Sequence, residues 1–260
     1  MDCDDCNCSC DGAFLQTQKM VIGEKMFGPY NIPFRIECND ILIEAINEDD
    51  ITIYRRKFGN DTIEKKLLAT NRKIIISPIK PINRPKKLTP HLLIEFETPL
   101  FTEPRSNKKI YLKFPVEIGL FIMGGKSFEL LDVFTIMNQK YTLYGDPING
   151  VLCKYWKSPV ENNRPEIDLL THGIMELSIT NKSSTWLEVS KVVFNSYGMK
   201  MYYNQQFICL KAEMKIYTEL SAETDFIDSA LEKKMTKSVE LYNAKKLQLT
   251  TTKFVMRDGI

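Results

Sequence analysis

The sequence predicts a mainly β protein: two antiparallel β-sandwich-like units followed by one C-terminal α-helix. Three observations carry that expectation. From about residue 34 to residue 217 apolar residues recur with period two, in short runs separated by turn residues. No helical pattern alternates with these runs, which argues against a parallel α/β sheet. Only beyond residue 220 does the period change to about 3.6.

In chain order, the first element is an extension, residues 1–25, opening "MDCDDCNCSCDG". Cys3, Cys6, Cys8 and Cys10 follow the spacing C-x2-C-x-C-x-C among Asp2, Asp4 and Asp5. Four thiolates satisfy tetrahedral zinc or an iron–sulfur cluster, so zinc or iron at these cysteines is one candidate. Against it, zinc knuckles separate their cysteine pairs by a dozen or more residues, and the ferredoxin spacing is missed. The acids raise the thiol pKa values, and no basic residue offsets them. With too little apolar content to offset the entropy of ordering, the segment is expected to be a disordered extension, dispensable for folding, or the product of an upstream start with Met20 or Met26 the genuine one.

The first β domain is expected over 26–138, with strands at 34–38, 41–46, 51–57, 62–69 and 73–76. "HLLIEFE" then places Leu92, Ile94 and Phe96 on one face and Glu95 and Glu97 on the other, and "KIYLKFP" repeats the pattern with Ile110, Leu112 and Phe114. Between them and the early strands, "SPIKPINRPKKLTP" has four prolines that fix φ and remove donors, so an extended surface connection is expected. Strands at 116–123 and 127–136 flank Gly124-Gly125, a hairpin turn. "GLFIMGGKS" is not a phosphate loop, because five residues rather than four separate Gly119 from Gly125-Lys126 and no helix follows.

The second β domain, 139–220, has strands at 140–144, 151–156, 174–180, 186–194, 199–203 and 208–216, with a long loop at 158–173. The last segment, 221–260, is expected to be an amphipathic helix over about 223–247 and a tail. Ile227, Leu231, Met235, Val239 and Tyr242 would form its stripe, docked on a sheet, with Ser221 or Thr224 as cap.

Composition narrows the function. A chain of 260 residues with net charge +2 has no bulk attraction for nucleic acid, and no apolar run approaches the ~20 residues that cross a bilayer. The polar, acidic N-terminus and the single, apolar settings of Cys38, Cys153 and Cys209 point to a cytoplasmic protein whose thiols stay reduced. Lysine exceeds arginine 27 to 8, which fits a thermophile or an AT-rich genome. Only His91 and His172 are present, in loop or strand-edge settings, and no nucleophile-elbow frame occurs.

The most distinctive internal segment is "KYTLYGDPINGVLCKYW", where Tyr141, Tyr144, Tyr155 and Trp156 surround a turn with Lys140, Lys154 and Lys157. Aromatics interleaved with lysine stack bases or sugars, and the same residues also suit a core with amphipathic rims. Tyr144, Asp146, Lys154 and Trp156 are the candidate ligand contacts. The expected function is a non-catalytic binding or assembly module, with a protein partner or a second copy of the chain as possible companions. The alternatives are an enzyme acting on a sugar or nucleotide at the Tyr144–Trp156 region, and soft-metal binding through the N-terminal cysteines.

From "MFGPY" onward the order of segments resembles an archaeal family known as domain of unknown function 432. Tyr54-Arg55-Arg56, "SPIKPINRP", "LLIEFETPLFTEP", "IYLKFPVEIGLF", "DVF", "KYTLYGDPINGVLCKYW" and "SSTWLEVSKVVF" carry the resemblance, over roughly residues 26–220. It implies a source such as a methanogen and a cytosolic setting. It supplies no activity, cofactor or catalytic residue.

Overall fold

A computed structural model describes residues 17–19, 25–38, 40–68, 72–83, 88–124, 127–241 and 253–260. These fall into two compact units, one formed by 17–19 with Pro29–Ile74, the other by Lys25–Gly28 with Ile75–Ile260. Residue 138 lies inside the second unit, in a connection between two strands. The cysteines at 3, 6, 8 and 10 lie outside the described residues.

The chain enters the first unit through β1 (Thr17–Lys19) and β2 (Gly28–Asn31), then runs as a meander through β3 (Phe34–Cys38), β4 (Ile41–Glu48), β5 (Ile51–Phe58) and β6 (Asp61–Leu67). The sheet order is β1-β3-β4-β5-β6, antiparallel throughout except for β1 beside β3. Alternation decides the faces: Phe34, Ile36, Ile43, Ala45 and Tyr54 are buried together on one side. On the other, register aligns Arg35 with Glu44, Glu44 with Arg55 and Arg55 with Glu64. The result is a row of alternating charge, with contacts of 3.3, 3.0 and 2.9 Å, across four strands.

The second unit continues with β7 (Lys73–Ile79), β8 (His91–Thr102), β9 (Asn107–Pro115), β10 (Glu117–Gly124), β11 (Ser127–Phe134), β12 (Lys140–Tyr144), β13 (Val151–Ser158), β14 (His172–Asn181) and β15 (Leu187–Asn195). A 3-10 turn at Ser196–Gly198 leads to β16 (Tyr202–Tyr203), β17 (Ile208–Ile216), β18 (Ala222–Ile227), β19 (Thr236–Lys237) and β20 (Phe254–Met256). One sheet has the order β12-β13-β8-β15, and a larger one runs β19-β16-β17-β14-β9 with β18 and β20 attached through β17. The β10–β11 hairpin shares a third sheet with β7. Leu92, Ile94, Leu112, Phe114, Leu177, Val192, Phe194 and Leu210 are among the apolar side chains removed from solvent.

Two expectations need correction. Antiparallel pairing is not universal, since β13 runs parallel to β8 and β14 parallel to β17. Parallel neighbours need a long crossover, and here intervening strands supply it. Among the described residues there is no α-helix, and residues 223–241 of the expected C-terminal helix over 223–247 form strands and irregular backbone instead. Ala222–Ile227 is β18, hairpin-paired to β17, with Ala222 and Thr224 buried at period two. Beyond it the backbone bonds sideways: β19 pairs with β16, and the Ser238 amide donates to the Met201 carbonyl at 2.9 Å.

Three residues of the expected stripe, Leu231, Met235 and Val239, do pack on buried clusters, from an irregular strap rather than a helix. Leu231 and Met235 cover Ile174, Phe207 and Cys209, while Val239 and Leu241 cover Ile79, Phe121 and Val133. Two clusters reached by one segment, with its amides satisfied by a sheet edge, displace the i→i+4 ladder. Residues 242–252 lie outside the described residues. No described helix is long and apolar enough to cross a membrane.

Candidate functional site

The β12–β13 hairpin sorts the candidate residues by parity. Register pairs Tyr144 with Val151, Thr142 with Cys153 and Tyr141 with Lys154. Tyr144 and Thr142 therefore share a face with Tyr155, and β8 adds Leu93 and Glu95 to it, opposite Tyr155 and Lys157. On the far side of β8, Lys191 of β15 stands opposite Glu95. Tyr141, Lys154 and Trp156 face the other way. The four residues singled out in the sequence do not form one site.

On the inner face, Lys154 is 3% exposed and its Nζ donates to Glu117 Oε1 at 3.0 Å. Glu117, on β10, is 0% exposed, and its Oε2 accepts from the Asn83 amide at 2.9 Å. Burial lowers the pKa of Lys154 and the Glu117 carboxylate opposes that shift. This ion pair ties the β12–β13–β8–β15 sheet to the β10–β11 sheet. Expected as a ligand contact, Lys154 is instead a buried crosslink. Trp156 is half-buried and packs edge-on against His172, with ring centroids 5.2 Å apart. Burial, with a smaller contribution from Lys113, lowers the His172 pKa.

Asp146 sits in the hairpin turn, where Oδ1 accepts from the amides of Ile148 and Asn149 at 2.8 and 3.0 Å. Those two donors, Asn149 first, hold its carboxyl below the usual range. The side chain builds the turn, as aspartate does for backbone reasons. Gly145 takes φ +97°, and a Cβ there would stand 2.8 Å from Asp258 Oδ2, so glycine is required twice over.

Tyr144 is 4% exposed. Its hydroxyl donates to the Gly259 carbonyl at 2.9 Å and accepts from the Asp258 amide at 3.1 Å. Burial is the main cause raising its pKa. The segment that it holds is further fixed by Ser190 Oγ donating to the Ile260 carbonyl and by the Gly259 amide donating to the Leu220 carbonyl. Phe254 adds an edge contact to Tyr144 and a tilted ring contact to His91.

This C-terminal segment is one wall of a cleft on the outer face of the sheet. The cleft has a volume of about 570 Å³, within the roughly 300–1,000 Å³ typical of small-molecule sites. Leu93, Glu95, Thr142, Tyr155 and Lys191 form its floor, and Arg257 and Asp258 its wall. Glu95 is held in place: Oε2 accepts from Tyr155 OH at 3.2 Å, and Lys157 Nζ lies 3.9 Å from Oε1. Of these residues the sequence reading singled out Tyr144 and Tyr155 but missed Glu95, Lys191, Arg257 and Asp258 as site residues. The outward parity of Glu95 in "HLLIEFE" was the one signal for them.

Fold and cleft together define a mainly β protein with a polar, aromatic-lined cleft on an open sheet face. Residues 26–257 match the family model described as protein of unknown function, DUF432. The chain belongs to that family. No curated protein and no solved structure matches it.

Proposed function

We propose that the chain is a non-catalytic binding module that holds a small polar ligand in the cleft formed by β12, β13, β8, β15 and the C-terminal segment. The observation that carries this reading is preorganisation: Glu95 is oriented by Tyr155, and the wall bearing Arg257 and Asp258 is pinned by the Tyr144 hydroxyl. Sites whose polar groups are locked before binding lose less entropy when a ligand arrives. An enzyme in this region would be favoured by a buried carboxylate opening into the cleft. Here the buried carboxylate, Glu117, faces Lys154 on the opposite side of the sheet, while Glu95 is half-exposed and Asp258 exposed. Cys153 and Cys209, each a buried free thiol, support a cytosolic setting.

The test is a thermal-shift screen of sugars, nucleotides, amino acids and short peptides, run on the full chain and on Thr142→Trp, which fills the cleft from its floor. A ligand at 100 times its Kd stabilises by about 2.7 kcal/mol. The expected result is a class of compounds that raises the Tm of the parent and not of the variant. Hits that stabilise both equally would place binding elsewhere and defeat the reading.

A further inference from the structure

We propose that the ligand of this cleft is an anionic sugar, a hydroxyl-rich ring carrying a single carboxylate or phosphate; the proposal rests on the cleft being the binding site. Lys191 stands directly opposite Glu95 in the β15–β8 register, where a cross-strand ion pair is the ordinary outcome. Glu95 is engaged instead by Tyr155 and Lys157 from the other side. Lys191 makes no ion pair among the described residues, and its Nζ lies 4.0 Å from where a Cβ on Gly259 would stand, against the C-terminal wall. Arg257, on that wall, also makes no ion pair among the described residues. Two cations of the same cleft, one half-buried, are thus left facing the space that a ligand would occupy.

The carboxylates limit what that ligand can be. Asp258 presents Oδ2 at the Gly145 end, and Glu95 lies on the floor. Both accept hydrogen bonds from hydroxyl groups, and both repel additional negative charge. A polyphosphate or nucleic-acid strand would meet two carboxylates along with the two cations. A ring with one anionic group would place that group at Lys191 and Arg257 and its hydroxyls at Glu95 and Asp258. Leu93 and the half-buried Tyr155 ring supply the apolar surface against which the C–H face of a sugar packs.

Isothermal titration of the full chain with glucuronic acid, glucose 6-phosphate, glucose and inorganic phosphate tests this. At least one anionic sugar should bind, with glucose and phosphate alone at least about tenfold weaker, since each 1.4 kcal/mol is a factor of ten. The first two ligands distinguish a carboxylate from a phosphate source. Lys191→Met and Arg257→Met should each weaken that binding about tenfold, with circular dichroism and Tm confirming the fold, and added salt should weaken it in the parent. Glucose binding as tightly as the anionic sugars, no binding by any of the four, or unchanged affinity in Lys191→Met would each overturn the proposal. Those results leave the cleft reading intact wherever Thr142→Trp still abolishes a hit from another class, and binding that survives Thr142→Trp would sink the cleft itself.

Discussion

Replacing Lys154 with methionine keeps the bulk of the side chain and removes its charge. Glu117, with 0% side-chain exposure, then loses the ammonium that stands 3.0 Å from its Oε1. Removing one partner of a buried pair costs about 3–5 kcal/mol, mostly because the remaining charge stays buried. At about 2–4 °C per kcal/mol for a unit of this size, the Tm should fall by about 6–20 °C. The double variant Lys154→Met/Glu117→Leu should recover part of that loss, because an apolar pair is often as stable as the ions that it replaces, while the Asn83 amide loses its acceptor. Calorimetry on the parent, both single variants and the double completes the cycle. A Lys154→Met Tm within about 3 °C of the parent, or a double variant no more stable than the single, would refute the reasoning.

Three further outcomes are expected. Tyr144→Phe strands the Asp258 amide and the Gly259 carbonyl from their shared hydroxyl, a loss of about 1–3 kcal/mol, and amide exchange over 253–260 should accelerate while the other strands stay protected. Gly173→Ala would put a Cβ 2.4 Å from the fully buried Phe114 ring, so overpacking of about 1–3 kcal/mol should lower the midpoint of denaturant unfolding. Lys80 has a pKa lowered from 10.5 to about 8, chiefly by burial, so between those values the unfolded chain holds a proton that the folded one lacks. The Lys80 contribution to stability should thus rise with pH across that window, and the Tm of the parent minus that of Lys80→Met should increase from pH 7 to 10.5.

How far the fold could be read depended on how local its causes are. β3, β12 and β17 coincide with their expected ranges because the causes of each lie within its own short run of residues. The strap after β18 was misread because Leu231, Met235 and Val239 step by four, the spacing of a helix face. In the structure that spacing reflects contact with two separate clusters, and the deciding bonds, from β19 to β16 and from Ser238 to Met201, join residues distant in sequence. "SPIKPIN" was expected as surface connection, yet Ser77 and Ile79 are buried in β7.

The candidate site was half legible. Once Tyr144 pairs with Val151, parity alone puts Lys154 and Trp156 on the face away from Tyr144. What local pattern could not reveal is that the parallel β13–β8 pairing sets Glu95 beside Lys157, or that the C-terminal segment returns to the Tyr144 hydroxyl.

The central claim is that one sheet face, framed by the C-terminal segment, is where this protein meets its ligand. Amide and methyl NMR titration with a compound from the thermal-shift screen tests it most directly. The account predicts that the largest shifts fall on Leu93, Thr142, Tyr155, Lys191 and Asp258, with Lys154, Glu117 and Trp156 responding little. Shifts centred on the inner face around Trp156, or scattered without reference to the cleft, would contradict it.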